Sequence, residues 1–182
     1  MASSVGGSFL SLMLIGALVH TVFPQDEPWL LMSAFGSSAV LIFTMPELLT
    51  AQPWPAVFGH VLAALTGVFI RENLGLPYFA AVALAVALSL LLMFLTSSLH
   101  PPAGGTAIAA VGGSGPLGEL GYGLAFFPMA AGMILLVVLA ALWLPLAAGR
   151  TYPLRRSYRV VEAEKEKSRP RHGLTGNFPP RF

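Results

Sequence analysis

The chain has 182 residues, 55% of them hydrophobic and only 10% charged, with a mean hydropathy of +0.75. That excludes an ordinary soluble domain, in which about 25% of residues are charged. The formal net charge is +2 and nine of the ten Lys and Arg lie from Arg150 onward, so the basicity belongs to a tail beside lipid and not to a nucleic-acid-binding face. Cysteine is absent, which excludes disulfides, thiol catalysis and cysteine-held metals.

Residues 5–23 (VGGSFLSLMLIGALVHTVF) match the length that a hydrocarbon layer of about 30 Å requires. The run lacks the basic start of a signal peptide and is too long for one, so it reads as a retained first span, with His20 near its end at headgroup level. Pro24-Gln25-Asp26-Glu27-Pro28 is an acidic loop, and Trp29 marks re-entry at an interface. Residues 30–45 (LLMSAFGSSAVLIFTM) are apolar but short, with Ser33, Gly36, Ser37 and Ser38 clustered early, which fits a re-entrant or half-buried helix.

A proline-rich connection with Glu47 and Trp54 follows, and then a clear span at 56–70 (AVFGHVLAALTGVFI), which carries His60 in its first two turns and ends at Arg71-Glu72-Asn73. Residues 78–97 form another span, whose alanines at 81 and 85 and at 83 and 87 are spaced for close approach of a neighbouring helix and suit a homo-oligomer as well. After the segment 100–111 (HPPAGGTAIAAV), residues 112–119 read as a flexible glycine-rich loop bearing Glu119. The last span covers 122–146, with Pro128 near its start and Pro145 near its end.

The segment at 100–111 carries the chemistry. Pro101 and Pro102 lack amide hydrogens and push the residues before them out of helical conformation, so the chain breaks there and a short helix starts at Ala103. Free backbone N–H groups at such a start, with glycines permitting close approach, favour an anion. His100 is an ionisable side chain within membrane sequence, which is expensive unless it faces a cavity or a partner, or ties down the bent backbone. Its protonation offers a way to couple anion movement to a proton, since no Lys or Arg is embedded in the spans.

An offset of 68 residues lays 34–40 (AFGSSAV) on 102–108 (PAGGTAI), a shared pattern of Gly, small, hydroxyl, Ala and β-branched residues, with a long span on either side of each copy. Paired interrupted segments in corresponding halves point to a transporter site at the repeat interface. Short segments that dip and return give parallel halves with Arg71 on the side of the tail, the arrangement mildly favoured by the positive-inside bias. Segments that cross give inverted halves with Arg71 opposite. The candidate binding residues are His100, Gly104, Gly105 and Thr106 from the second short segment, Gly36, Ser37 and Ser38 from the first, and His60, which either faces the same cavity or plays a structural role.

No histidine pair has the i, i+3 or i, i+4 spacing of a helical ligand set and no nucleophile has an adjacent base, so neither a metal, a cofactor nor an enzyme activity is expected. The blocks LHPPAGGTAIAAV, SAFGSSAVLIF and GHVLAALTGV, spread between about Leu31 and Leu146, resemble the HPP family of small integral membrane proteins. The resemblance implies a four-spanning bundle, and some plant plastid and cyanobacterial members are credited with nitrite transport. The family motif falls on His100, Pro101, Pro102, Gly104 and Thr106, and Gly105 stands where alanine is more usual.

The sequence thus predicts an all-α membrane protein of four full transmembrane helices plus two short broken or re-entrant helices, in a two-fold repeat of span, short segment and span. The transmembrane region is 1–149, with halves at about 5–72 and 77–147, and residues 150–182 form a basic, disordered tail. The expected function is a transporter or channel for a small anion such as nitrite in the inner (plasma) membrane, with both termini cytoplasmic. The tips of the two short helices, near Ser37 and Gly105, would face a shared solvated cavity. The rival is a non-transporting subunit that recruits a partner through the tail.

Overall fold

Proline sets most helix boundaries in the computed structural model, which describes residues 2–23, 29–113 and 115–154. Helix α1 is Ala2–Val22, and α2 (Trp29–Thr44) stops ahead of Pro46. After one 3₁₀ turn at Leu49–Ala51, α3 (Pro53–Asn73) starts on a proline, whose missing N–H would have been unsatisfied there in any case. Pro77 precedes α4 (Tyr78–Leu95), and Pro101-Pro102 precede α5 (Ala103–Gly112). A short α6 (Gly115–Glu119) occupies the expected glycine-rich loop. The final span begins as 3₁₀ turns at Gly121–Ala125, breaks at Phe127 (φ −135°, ψ 128°) ahead of Pro128, and continues as α7 (Ala131–Ala148). The described residues contain no strand, and four helices are long and apolar enough to cross a membrane: α1, α3, α4 and the kinked 121–148 segment, with α2 and α5 shorter. The acidic loop at 24–28 and the tail from Arg155 onward lie outside the described residues.

Helix α4 ends two residues earlier than expected, in a Schellman turn. Ser98 N–H donates to the Met93 carbonyl (2.9 Å) and Ser97 N–H to Phe94 (3.3 Å), with Ser97 in the left-handed region at φ 52°. The turn throws the chain back over the start of α3, where a Cβ on Gly59 would fall 2.8 Å from the Ser98 carbonyl oxygen. Glycine at 59 is therefore what lets residues 98–100 lie against α3.

Side-chain contacts fix the helix directions. Gly16 faces Met32 and Gly7 faces Phe43, so α2 runs antiparallel to α1. Gly59 faces His100 while Gly67 faces Ala107 and Ala110, so α5 runs parallel to α3. Trp143 donates to the Ser3 carbonyl (2.8 Å), which returns the end of α7 to the start of α1. Tyr152, just beyond α7, meets the Ala51 carbonyl just ahead of α3, and Trp54 at the start of α3 meets the Thr96 carbonyl just after α4, so α3 runs opposite to both α7 and α4. Directions therefore alternate through α1, α2, α3, α4, α5 and α7, and the two span–short–span halves run in opposite senses, the inverted arrangement. Arg71 lies eighteen residues into α3, about 27 Å from its start at 1.5 Å per residue, and so at the opposite end of the bundle from Arg150.

Helix α3 is the spine. One core cluster joins it to α1, α2 and α7 through Ile15, Phe35, Val68, Met133 and Leu136, and a second joins it to α4 and α5 through Ala63, Ala85, Met93, Ala103 and Ala107. Ala81 and Ala85 are buried in that seam as expected of a packing stripe, whereas Ala83 and Ala87 are exposed.

Two arginines seal the ends. Arg71 donates to the carbonyls of Ala110 (3.2 Å), Gly113 (3.4 Å) and Gly118 (3.0 Å), which neutralises the negative end of α5. Arg71→Met should destabilise the protein by about 1–3 kcal/mol by orphaning those carbonyls. Glu72→Gln, which removes only the 3.1 Å ion pair at the surface, should be near neutral. Thermal unfolding in one detergent compares them. At the other end Arg150 reaches the carbonyls of Phe43 (3.4 Å) and Thr44 (3.0 Å) and the carboxylate of Glu47 (2.6 Å), so Glu47 is paired.

Residues 150–154 continue as a strap over the α2–α3 connection. Tyr152 donates to the Ala51 carbonyl (2.9 Å) and Leu154 N–H to Gln52 Oε1 (2.9 Å). Gln52 Nε2 donates in turn to the carbonyls of Pro46 (2.7 Å) and Leu48 (3.0 Å). Burial pushes the Tyr152 phenol well above its ordinary value, so it stays a donor at neutral pH.

Candidate functional site

Two imidazoles, one from each half of the repeat, meet inside this bundle. His60 stands two turns into α3, and His100 hangs from the extended residues that Pro101 keeps out of α5. Their ring centroids are 5.1 Å apart and both side chains are fully buried. Ser38, in the middle of α2, lies between them, with its Oγ 2.9 Å from His60 Nε2 and 3.0 Å from His100 Nε2. The far nitrogen of His60 meets Thr106 Oγ1 on α5 at 2.6 Å, and the far nitrogen of His100 meets the Thr50 carbonyl at 2.6 Å. Ser38 and Thr106 are also fully buried.

The donors can be assigned from one end. A carbonyl only accepts, so His100 Nδ1 carries a hydrogen toward Thr50. A neutral His100 then accepts at Nε2 from the Ser38 hydroxyl. Ser38 Oγ accepts from His60 Nε2–H, and His60 Nδ1 accepts from Thr106. With both rings neutral this direction satisfies every ring nitrogen, and it runs unbroken from Thr106 to Thr50. Burying so many polar groups in a bundle this apolar is costly unless each finds a partner, which here each does.

Four of the candidate binding residues thus come together: Ser38, His60, His100 and Thr106. The others do not. Ser37 is exposed and donates within its own helix, to the carbonyl of Ser33 or Ala34 (both 3.0 Å), and a Cβ on Gly36 would meet nothing within 4 Å. Gly105 lies against Ala34 and Gly104 against Val86, so both serve helix packing. The expected helix tip near Ser37 is a correction, since α2 begins eight residues earlier, at Trp29. The amides expected to be free at the start of α5 are also taken: those of Ala103, Gly104 and Gly105 donate to the carbonyls of His100 (2.9 Å), Pro101 (3.1 Å) and Pro102 (3.0 Å). A turn of 3₁₀ type, which the two prolines permit, uses the donors that an open helix start would have left. The cluster is buried, with its polar atoms bonded to one another, where a solvated cavity was expected.

Sequence reading missed the Thr50 carbonyl, because a backbone acceptor carries no residue signature. Among the described residues no group of three or more His, Asp and Glu is arranged to hold a metal ion.

Comparison with known proteins agrees with the fold. Two transmembrane proteins of Dictyostelium discoideum are similar to this chain, one 37% identical over 145 residues and the other 35% identical over 150. The alignments cover 78% and 81% of this chain but only 50% and 48% of the relatives, so the chain spans about half their length. No solved structure matches. The family described as "HPP, transmembrane region" matches residues 1–153, which takes in every helix described above, the buried cluster and most of the strap. The chain belongs to the HPP family of membrane proteins.

Proposed function

We propose that this protein is a transporter or channel for a small monovalent anion, nitrite among the candidates, and that Ser38, His60, His100 and Thr106 form its selective site. The observation that carries this reading is the convergence of four buried polar side chains, two from each inverted half, on one place in an otherwise apolar bundle. Ionisable groups inside a membrane segment are retained for a task, and inverted repeats place substrate sites at the interface of the halves. The hydroxyls at 38 and 106, 68 residues apart, both bond His60, one to each ring nitrogen, so the internal repeat itself builds the site. The structure is then the closed state, in which the hydroxyl and imidazole donors that would replace an anion's water are bonded to one another. In this reading both ends of the bundle's chain lie on the cytoplasmic side of the inner (plasma) membrane, an orientation that the excess of Lys and Arg from Arg150 onward supports.

Flux of nitrite, nitrate, formate and chloride into liposomes carrying the purified protein tests the reading. The expected result is uptake of at least one of these anions, with His100→Ala reducing it while deletion of everything after Arg159 leaves it intact. Flux indistinguishable from empty liposomes for every anion would sink the reading. A cellular phenotype lost with the tail and kept in His100→Ala would favour the partner-recruiting role instead.

A further inference from the structure

Ser38 Oγ has one hydrogen and two lone pairs, yet three groups crowd it: His60 Nε2 at 2.9 Å, His100 Nε2 at 3.0 Å and the Ala34 carbonyl at 2.9 Å. With both rings neutral the hydroxyl hydrogen is committed to His100, so the Ala34 contact goes unused. That carbonyl lies one turn back on α2 and is an alternative acceptor for the same hydrogen.

We propose that Ser38, His60 and His100 form a binding site for one excess proton, with the Ser38 hydroxyl as the group that reverses direction to accept it. A proton that reaches His60 Nδ1 from the Thr106 side releases the Nε2 hydrogen of His60 to Ser38 Oγ, and Ser38 passes its own hydrogen to His100 Nε2. His100 then holds hydrogens on both nitrogens, one toward Thr50 and one toward Ser38. Once the His60 ring regains its Nε2 hydrogen, by moving the added proton from Nδ1 or by turning over, the hydroxyl of Ser38 points to Ala34 and its oxygen accepts from both rings. The chain has gained one hydrogen and one positive charge, and the new charge rests on an imidazolium bonded at both nitrogens. Ser38 therefore stays bonded in both states.

A second proton is not accommodated. It would put two imidazolium rings 5.1 Å apart with no carboxylate to offset them. Helices α2, α4 and α5 and the turn at Leu49–Ala51 contain no acidic or basic side chain. On α3 the other charged groups are Arg71 and Glu72, paired with each other at its far end, and the nearest acid beyond the turn is Glu47, held by Arg150. The phenol of Tyr152 faces the Ala51 carbonyl beside the turn. In the transporter reading, on which this last step alone rests, the natural counterion for the stored proton is the anion itself, so the two travel together without net charge.

The site can be tested whether or not transport is observed. ¹⁵N-histidine spectra of the protein in lipid nanodiscs report which ring nitrogen carries hydrogen. The expected result is His100 as the Nδ1–H tautomer and His60 as the Nε2–H tautomer near neutral pH. On acidification the pair should take up one proton, with His100 gaining its Nε2 hydrogen while His60 keeps the Nε2–H tautomer and shifts at the same midpoint as its hydrogen-bond partner changes. In Ser38→Ala the two rings should lose that common midpoint, and Ser38→Thr, which keeps the hydroxyl, should restore it. Opposite tautomers in the wild-type protein, two protons taken up independently, or no uptake at any pH at which the protein stays folded would each overturn the proposal. The tautomer result needs no variant and so survives a failure of Ser38→Ala to fold. Normal titration without anion flux would leave the proton site standing and remove only the transporter reading.

Discussion

Gly67→Ala is expected to lower thermal stability more than any other single added methyl on the spine of the bundle. A Cβ at this position would sit 2.6 Å from the Ala110 Cβ and 2.7 Å from the Ala107 carbonyl oxygen. Neither atom can swing aside as the end of a long side chain would, because one is fixed to the α5 backbone and the other is part of it. The helices must separate, and overpacking of this kind costs about 1–3 kcal/mol. Gly36→Ala is the matched control, because its new methyl would meet nothing within 4 Å and glycine within a helix is itself unfavourable by about 0.5–1 kcal/mol relative to alanine. Unfolding of both variants in the same detergent should therefore move in opposite directions. Equal midpoints would mean that α3 and α5 do not approach as closely as described.

Ser38→Ala is the second large effect, and it acts on function as well as stability. Removing one oxygen leaves two buried imidazole nitrogens without partners, at about 1–3 kcal/mol for each unsatisfied group. Ser37→Ala removes a hydroxyl from an exposed neighbour that bonds only its own helix, and should be nearly silent. In the liposome assay Ser38→Ala should lose about tenfold or more of the flux, the equivalent of about 1.4 kcal/mol, while Ser37→Ala keeps it. Comparable flux from the two variants would separate the buried cluster from transport.

The contrast between Ser37 and Ser38 shows how far the residues alone can be read. Periodicity, proline and hydropathy place five of the six main helices within a few residues, because those signals are local, whereas the last, expected from 122, becomes the regular helix α7 only at Ala131, after the break at Phe127. The offset of 68 pairs Ser38 with Thr106, and the structure puts both on one imidazole. Which of two adjacent serines faces inward depends on the rotation of α2 about its axis. Phe35 and Phe43 set that rotation by packing against Gly132 of α7 and Gly7 of α1, and no pattern within the segment announces it. The closed start of α5 was illegible for a related reason: glycine and proline permit a tight turn there but do not dictate which carbonyls fill it. Chain direction was legible only as two alternatives, since a lone Arg71 beside Glu72 is weak evidence for either side. The arginine's part as the clasp on α5 needed coordinates.

The strap has a practical corollary for anyone trimming or tagging the protein. A boundary drawn at Gly149, where hydropathy falls away, would cut off Arg150 and Tyr152 and uncover the turn whose Thr50 carbonyl orients His100. A loss of activity in such a truncation would then reflect damage to the bundle and not a duty of the tail. Fusions and deletions meant to probe the C-terminal extension belong beyond Leu154.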